Sequence, residues 1–184
     1  MSADLRGRVS VTLLLATALF SSPGVADDRH ALSGWVVKSA AEVNGKLQIV
    51  LRDGRAISLA RTKGQCSFDG IQVAPDGVTV GWVGGGDAQR EGDPACAADA
   101  QYVAYGPVVW RAGKIIHDFS NLAGEINWAF YDKGNQIAIH AGPIHFDDEQ
   151  ASELYDVATG RLLKSWGRSS NTAPPDWARG IIDY

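Results

Sequence analysis

The densest set of reactive side chains in this sequence is His140-Ala141-Gly142-Pro143-Ile144-His145-Phe146-Asp147-Asp148-Glu149, a short span with two imidazoles and three carboxylates. Imidazole nitrogen and carboxylate oxygen together suit a divalent cation, and in an extended loop His145, Asp147 and Glu149 alternate onto one side. The spacing matches no established metal motif, and the acidic run lacks the glycine of an ordered calcium loop. His140, His145, Asp147 and Glu149 therefore stand as metal or hydrolytic candidates beside a plainer reading. In that reading His140 closes a strand, and Asp147 to Glu149 form a solvated acidic loop.

A second loop, Gly84-Gly85-Gly86-Asp87-Ala88-Gln89-Arg90-Glu91-Gly92-Asp93-Pro94, has consecutive glycines but no following Gly-Lys-Ser/Thr. It reads as an insertion whose Asp87 and Arg90 offer charge to a partner, not as a phosphate loop. No Gly-x-Ser-x-Gly elbow, His-Glu-x-x-His pair or dinucleotide fingerprint occurs, so neither an activated nucleophile nor a cofactor is implied. His30 and His117 have no evident partner in the sequence and read as surface or strand residues. Cys66 and Cys96 lack the close Cys-x-x-Cys spacing of a metal or redox pair. In an exported chain they are expected to form a disulfide, and closing a loop of about 30 residues would stabilise by roughly 3–4 kcal/mol.

Export is the expectation from the amino terminus. Arg6 and Arg8 precede an apolar run from Val9 to Phe20, then Ser21-Ser22-Pro23-Gly24, with Gly24 and Ala26 as the small residues of a cleavage site. This predicts a secretory signal peptide over 1–26 and a periplasmic or secreted single domain over 27–184. A run of about 12 apolar residues is too short for a membrane span, which needs about 20 in a helix. The formal charge of −4 becomes more negative once a leader carrying Arg6 and Arg8 against Asp4 is removed. With basic residues scattered through turns and strand ends, the chain lacks the basic stripe of a nucleic-acid binder.

The elements that must position these loops are strands. Glu153-Leu154-Tyr155-Asp156-Val157-Ala158-Thr159-Gly160-Arg161-Leu162-Leu163-Lys164-Ser165-Trp166-Gly167 reads as two strand segments hinged at a glycine turn. The same design recurs around Asp53-Gly54 and around Ala112-Gly113, each glycine followed by Arg or Lys and then aliphatic residues. Further strand–turn–strand units run from Gly70 to Trp82 and from Ile126 to His140. The pattern predicts an all-β fold of antiparallel four-stranded meanders near 68–119 and 126–166, after a partial unit near 35–59. Trp82, Trp110, Trp128 and Trp166 fall within alternating strands and read first as packing residues, with sugar stacking as the functional alternative.

Ala74-Pro75-Asp76-Gly77, Tyr131-Asp132-Lys133-Gly134 and Leu154-Tyr155-Asp156-Val157-Ala158-Thr159-Gly160 give the meanders a pattern that resembles the blade of a WD-repeat-like β-propeller. Tyr155-Asp156 stands where that family often has Trp-Asp, while the Gly-His dipeptide of its blades is absent. The resemblance implies a scaffold for binding. Propellers usually need four to eight blades, more than this chain supplies. The expected arrangement is a single compact antiparallel body in which the Trp177–Tyr184 tail pairs with the partial unit; the alternatives are two packed sheets in a sandwich and two chains that complete a ring.

In a four-stranded meander the first and third connections share one end and the second lies at the other. The long second connections, Gly84 to Ala100 and Ala141 to Gln150, thus gather with the links 60–67 and 120–124 at the end opposite the short turns. Long polar loops are where binding residues concentrate. Asp87, Arg90, His145, Asp147 and Glu149 are accordingly the candidate contacts for a protein or small ligand. The expected function is an exported binding module, with a metal-dependent or carboxylate-based hydrolase as the alternative.

Overall fold

The computed structural model describes residues 32–61, 65, 67–85, 106–119, 125–142, 151–167 and 171–182. Alternating apolar residues and turn-forming Asp and Gly place the eleven strands of the described residues in three antiparallel sheets. Sheet 1 has three strands, β1 (Val37–Val43), β2 (Lys46–Leu51) and β3 (Ala56–Ala60), in sequence order. Sheet 2 is a four-stranded meander of β4 (Ser67–Val73), β5 (Thr79–Gly85), β6 (Pro107–Arg111) and β7 (Lys114–Asp118). Sheet 3 repeats that order with β8 (Glu125–Tyr131), β9 (Gln136–Gly142), β10 (Ala151–Asp156) and β11 (Leu162–Gly167). The all-β, sandwich-like class read from the sequence is the observed one.

The tail differs from its expected pairing with the first unit. Asp176–Ile182 is a helix, α1, lying on sheet 3. Its buried residues Trp177, Ala178 and Ile181 follow the one- and four-residue spacing of a helical stripe, and an extended strand would have split them between two faces.

Packing follows from the strand period of two. Leu47, Ile49 and Leu51 of β2 meet Val80, Trp82 and Trp110 of sheet 2 in one core. The alternate residue Val109 faces the other way, into a second core with Trp128, Ile137, Ile139 and Val157. Sheet 2 is thus covered on both faces, as continuous apolar runs such as Val108-Val109-Trp110 require. Close approach of sheet 3 depends on Gly81: a Cβ there would sit 2.6 Å from the Trp128 ring. Trp128 in turn meets Phe130 edge-on at 5.4 Å between ring centroids. A third core, Ala138 and Leu154 against Trp177, Ala178 and Ile181, fixes α1 on the far face of sheet 3.

The short turns meet one another. The Val37 N–H donates to the Gly77 carbonyl at 2.8 Å, and Arg111 approaches Asp76 at 3.6 Å. A Cβ at Gly134 would lie 2.9 Å from that of Ala74, so the first turns of sheets 2 and 3 are in contact. Carboxylates hold these turns shut: Asp76 accepts from the Val78 and Thr79 amides and the Thr79 hydroxyl, at 2.9, 3.0 and 2.7 Å. Asp156 accepts from the amide and hydroxyl of Thr159 at 2.8 and 2.7 Å. Side-chain acceptors of this kind are why Asp favours turns. The strand ends Gly85, Pro107, Gly142 and Ala151 lie at the opposite end of their sheets.

Candidate functional site

Of the metal, partner-binding and disulfide candidates read from the sequence, only His140 lies within the described part of the chain. Asp87, Arg90, His145, Asp147, Glu149, Cys66 and Cys96 lie outside it, as do the leader and the expected disulfide. His140 is on β9, opposite Ser152 of β10 in register. It is buried, and its Nδ1 is 2.9 Å from the Ser152 hydroxyl. Such spacing would suit a base and a nucleophile. Ser152, however, has no exposed surface for a substrate to reach. The pair instead gives each of two buried polar groups a partner, without which each would carry a desolvation cost of about 1–3 kcal/mol. Among the described residues no group of three or more His, Cys, Asp or Glu is placed to hold a metal.

His117 is a second imidazole of interest, because its Nε2 is buried with no hydrogen-bond partner among the described residues. A Cβ at Gly160 would come within 2.6 Å of its ring, and Phe119 lies 6.0 Å away between centroids. The ring fills the space under the last hairpin turn and faces no nucleophile among these contacts.

Where titration is perturbed, the cause is structural. The Thr159 hydroxyl, then its amide, holds the Asp156 carboxyl below the usual range, and the Arg55 amide does the same for Asp53. Burial, reinforced by the hydrogen bond to Glu153, pushes the Tyr155 phenol up. Two of these groups clamp turns and the third packs between sheets 2 and 3. None adjoins the cleft described next.

That cleft, of about 590 Å³, lies between β11, the segment leading into α1, and the end of β8. Sheet register places Lys164 in one row with Ala129, Ala138 and Leu154, and Trp166 in the next with Asn127, His140 and Ser152. The chain then turns through Asn171-Thr172-Ala173-Pro174-Pro175, where proline cannot continue a strand ladder. The Trp166 indole N–H donates to the Thr172 carbonyl at 3.3 Å, tying this segment to β11. The amides of Ala178 and Arg179 donate to the Pro175 carbonyl at 2.9 and 3.1 Å and start the helix.

Lining the cleft are Tyr131, Trp166 and Trp177 with Lys164, Ser165, Thr172 and Asp176. Tyr131 is 41% exposed and Trp166 is half-buried. Asp176 lies 3.3 Å from Arg179 and remains largely in solvent. Aromatic residues beside Thr172 and one charged residue of each sign, Lys164 and Asp176, suit stacking and hydrogen bonding. They do not assemble the paired acid and base of a hydrolase.

Sequence reasoning placed Trp166 in a strand and Trp177 on a docking tail, but did not join them in a site. The available signal was Pro174-Pro175-Asp176 before apolar positions 177, 178, 181 and 182, a short helix start and stripe. Gly180 in the middle weakens that pattern, since glycine is a poor helix former. Comparison of the chain with protein-family models, with curated proteins and with solved structures gives no match.

Proposed function

We propose that this protein is an exported binding module that holds a ligand with a flat, ring-like apolar face and hydroxylated edges, the glycan class, in the cleft on sheet 3. The observation that carries this reading is the pairing of Tyr131 and Trp166 with Lys164, Ser165, Thr172 and Asp176 around one opening. Export rests on the amino-terminal leader pattern. The succession of face-to-face meanders supports a rigid scaffold of the open, blade-like kind that the turn motifs resemble, and rigid scaffolds commonly carry binding surfaces.

Hydrolysis at the 140–149 segment is the less favoured reading, because His140 is already engaged with Ser152 inside sheet 3. A second binding surface is favoured at the long-loop end, where Asp87, Arg90, His145, Asp147 and Glu149 belong by chain order. The opposite end is occupied by short turns in mutual contact.

An array of envelope and plant glycans, probed with the purified chain, tests the cleft. Tyr131→Ala and Lys164→Ala should each weaken a bound glycan about tenfold or more, while charge reversal at Arg90, Asp147 and Glu149 leaves it unchanged. Retained binding in both cleft variants, or loss only in the loop variant, would move the site away from sheet 3.

A further inference from the structure

We infer that the edge of β3 left unpaired among the described residues is a self-association surface, through which two copies of this chain join their three-stranded sheets into one continuous antiparallel sheet. This does not rest on the cleft, which belongs to sheet 3.

The outer strands of the three sheets are built differently. An exposed strand edge invites pairing, and proteins blunt such edges with charge, proline or a bulge. β7 opens on Lys114, ends on Asp118, and has a register shift against β6 between Val109 and Trp110. β11 carries Lys164 and has a register shift against β10 between Leu154 and Tyr155. β3 has neither device. Its sequence, Ala-Ile-Ser-Leu-Ala, is uncharged, and its register with β2 is unbroken from Lys46↔Ala60 to Val50↔Ala56. β3 also ends a sheet one strand shorter than the other two.

Hydrogen-bond parity shows which groups the edge offers. The Leu51 N–H donates to the Arg55 carbonyl at 2.8 Å. Alternation along an antiparallel ladder then turns the backbone groups of Ile57 and Leu59 toward β2, and those of Ala56, Ser58 and Ala60 outward. A second copy related by a twofold axis through Ser58 pairs Ser58 with Ser58, and Ala56 with Ala60, in hydrogen-bonded positions. Ile57 then faces Leu59 of the other copy across the closer, non-hydrogen-bonded position. Both are only half-buried against the core between sheets 1 and 2, so pairing extends that core.

The strand reads nearly the same in both directions, which is what an isologous interface requires. Its flanks permit the match. Arg55 meets Arg61 of the other copy, but each guanidinium already has a carboxylate in its own chain, Asp53 at 2.8 Å and Glu42 at 2.6 Å. A pairing this short is a small interface, so a dissociation constant in the range of about 10–100 μM is expected.

Sedimentation equilibrium on the full chain, over a concentration series from micromolar to millimolar, should show monomer passing to dimer. Hydrogen exchange should slow at the amides of Ala56, Ser58 and Ala60 as concentration rises. Ser58→Lys places like charges opposite each other at the centre, and Ser58→Pro removes the central donor at an edge where proline is tolerated. Both should weaken association at least tenfold with unchanged thermal unfolding, and if the proline variant fails to fold, the lysine variant decides. A wild-type chain that stays monomeric to millimolar concentration would overturn the inference. So would a dimer that persists in Ser58→Lys or leaves the β3 amides unprotected.

Discussion

Sheets 1 and 3 are the two ends of the same stack, and their outer faces are treated in opposite ways. On sheet 3 the row Ala129, Ala138 and Leu154 lies under α1, with Trp177, Ala178 and Ile181 pressed onto it. On sheet 1 the corresponding outward rows are Ala41, Gln48 and Ser58, and Ser39, Val50 and Ala56, with no described element over them. Chain composition has anticipated the difference: a face to be covered carries bulk, and a face left to water carries small and polar residues. The amphipathic helix is therefore part of the sheet 3 fold and has no counterpart on sheet 1 among the described residues.

The largest break in this contrast comes from stripping the cover. Trp177→Ala should destabilise by about 3–5 kcal/mol, the usual cost of truncating a buried aromatic, and lower the melting temperature by roughly 10 °C. Ser58→Ala, on the bare face, should change stability by less than about 0.5 kcal/mol. Urea unfolding of both variants makes the comparison, and equal costs would mean that α1 contributes no more than a surface residue does.

The same contrast recurs at the turns. Gly113 and Gly54 both have positive φ, 93° and 92°. A Cβ at Gly113 would lie 2.5 Å from the Trp35 ring, whereas at Gly54 nothing lies within 4 Å. Valine at Gly54 should cost about 1–2 kcal/mol from backbone strain alone, and valine at Gly113 about 2–4 kcal/mol because Trp35 must also move. Thermal melts that ranked the two equally would show that the backbone, not the neighbouring ring, sets the requirement.

The smallest effect concerns the turn carboxylates. Asp156 has its folded pKa lowered by Thr159, so its contribution is complete above the unfolded value near 4 and fades as pH falls through the folded value. Asp156→Asn should lower the melting temperature slightly at neutral pH and converge with the wild type at low pH, so that the acid limb is flatter. An acid limb as steep as that of the wild type would assign the sensitivity to other carboxylates.

Strand positions were the most legible part of the sequence. Leu47, Ile49 and Leu51 alternate with Lys46, Gln48 and Val50, and a period of two with glycine turns leaves little choice of element. The turn glycines Gly54, Gly113 and Gly160 were equally clear, and each has a positive φ, whereas the Asn44-Gly45 turn between β1 and β2 was not read. The helix was not legible: Asp176–Ile182 spans about two turns with Gly180 inside, too short for its period to register. The cleft escaped for a different reason. Tyr131 and Lys164 are on the outermost strands of one sheet, and only the packing of α1 joins them around an opening.

The layering of sheet 2 between its neighbours also gives the molecule a polarity of growth. Each layer shares a core only with the layer before and after it in the chain, so the body behaves as a short linear array with nearest-neighbour coupling. Such an array ends where a layer presents a face that accepts no successor, and α1 is that terminator. Another meander spliced after Gly167 would have to evict Trp177 and Ile181 before it found apolar surface. One spliced ahead of Val37 would meet a face of sheet 1 that no described element covers, and would need only an apolar substitution or two there, at Gln48 and Ser58, to extend the series.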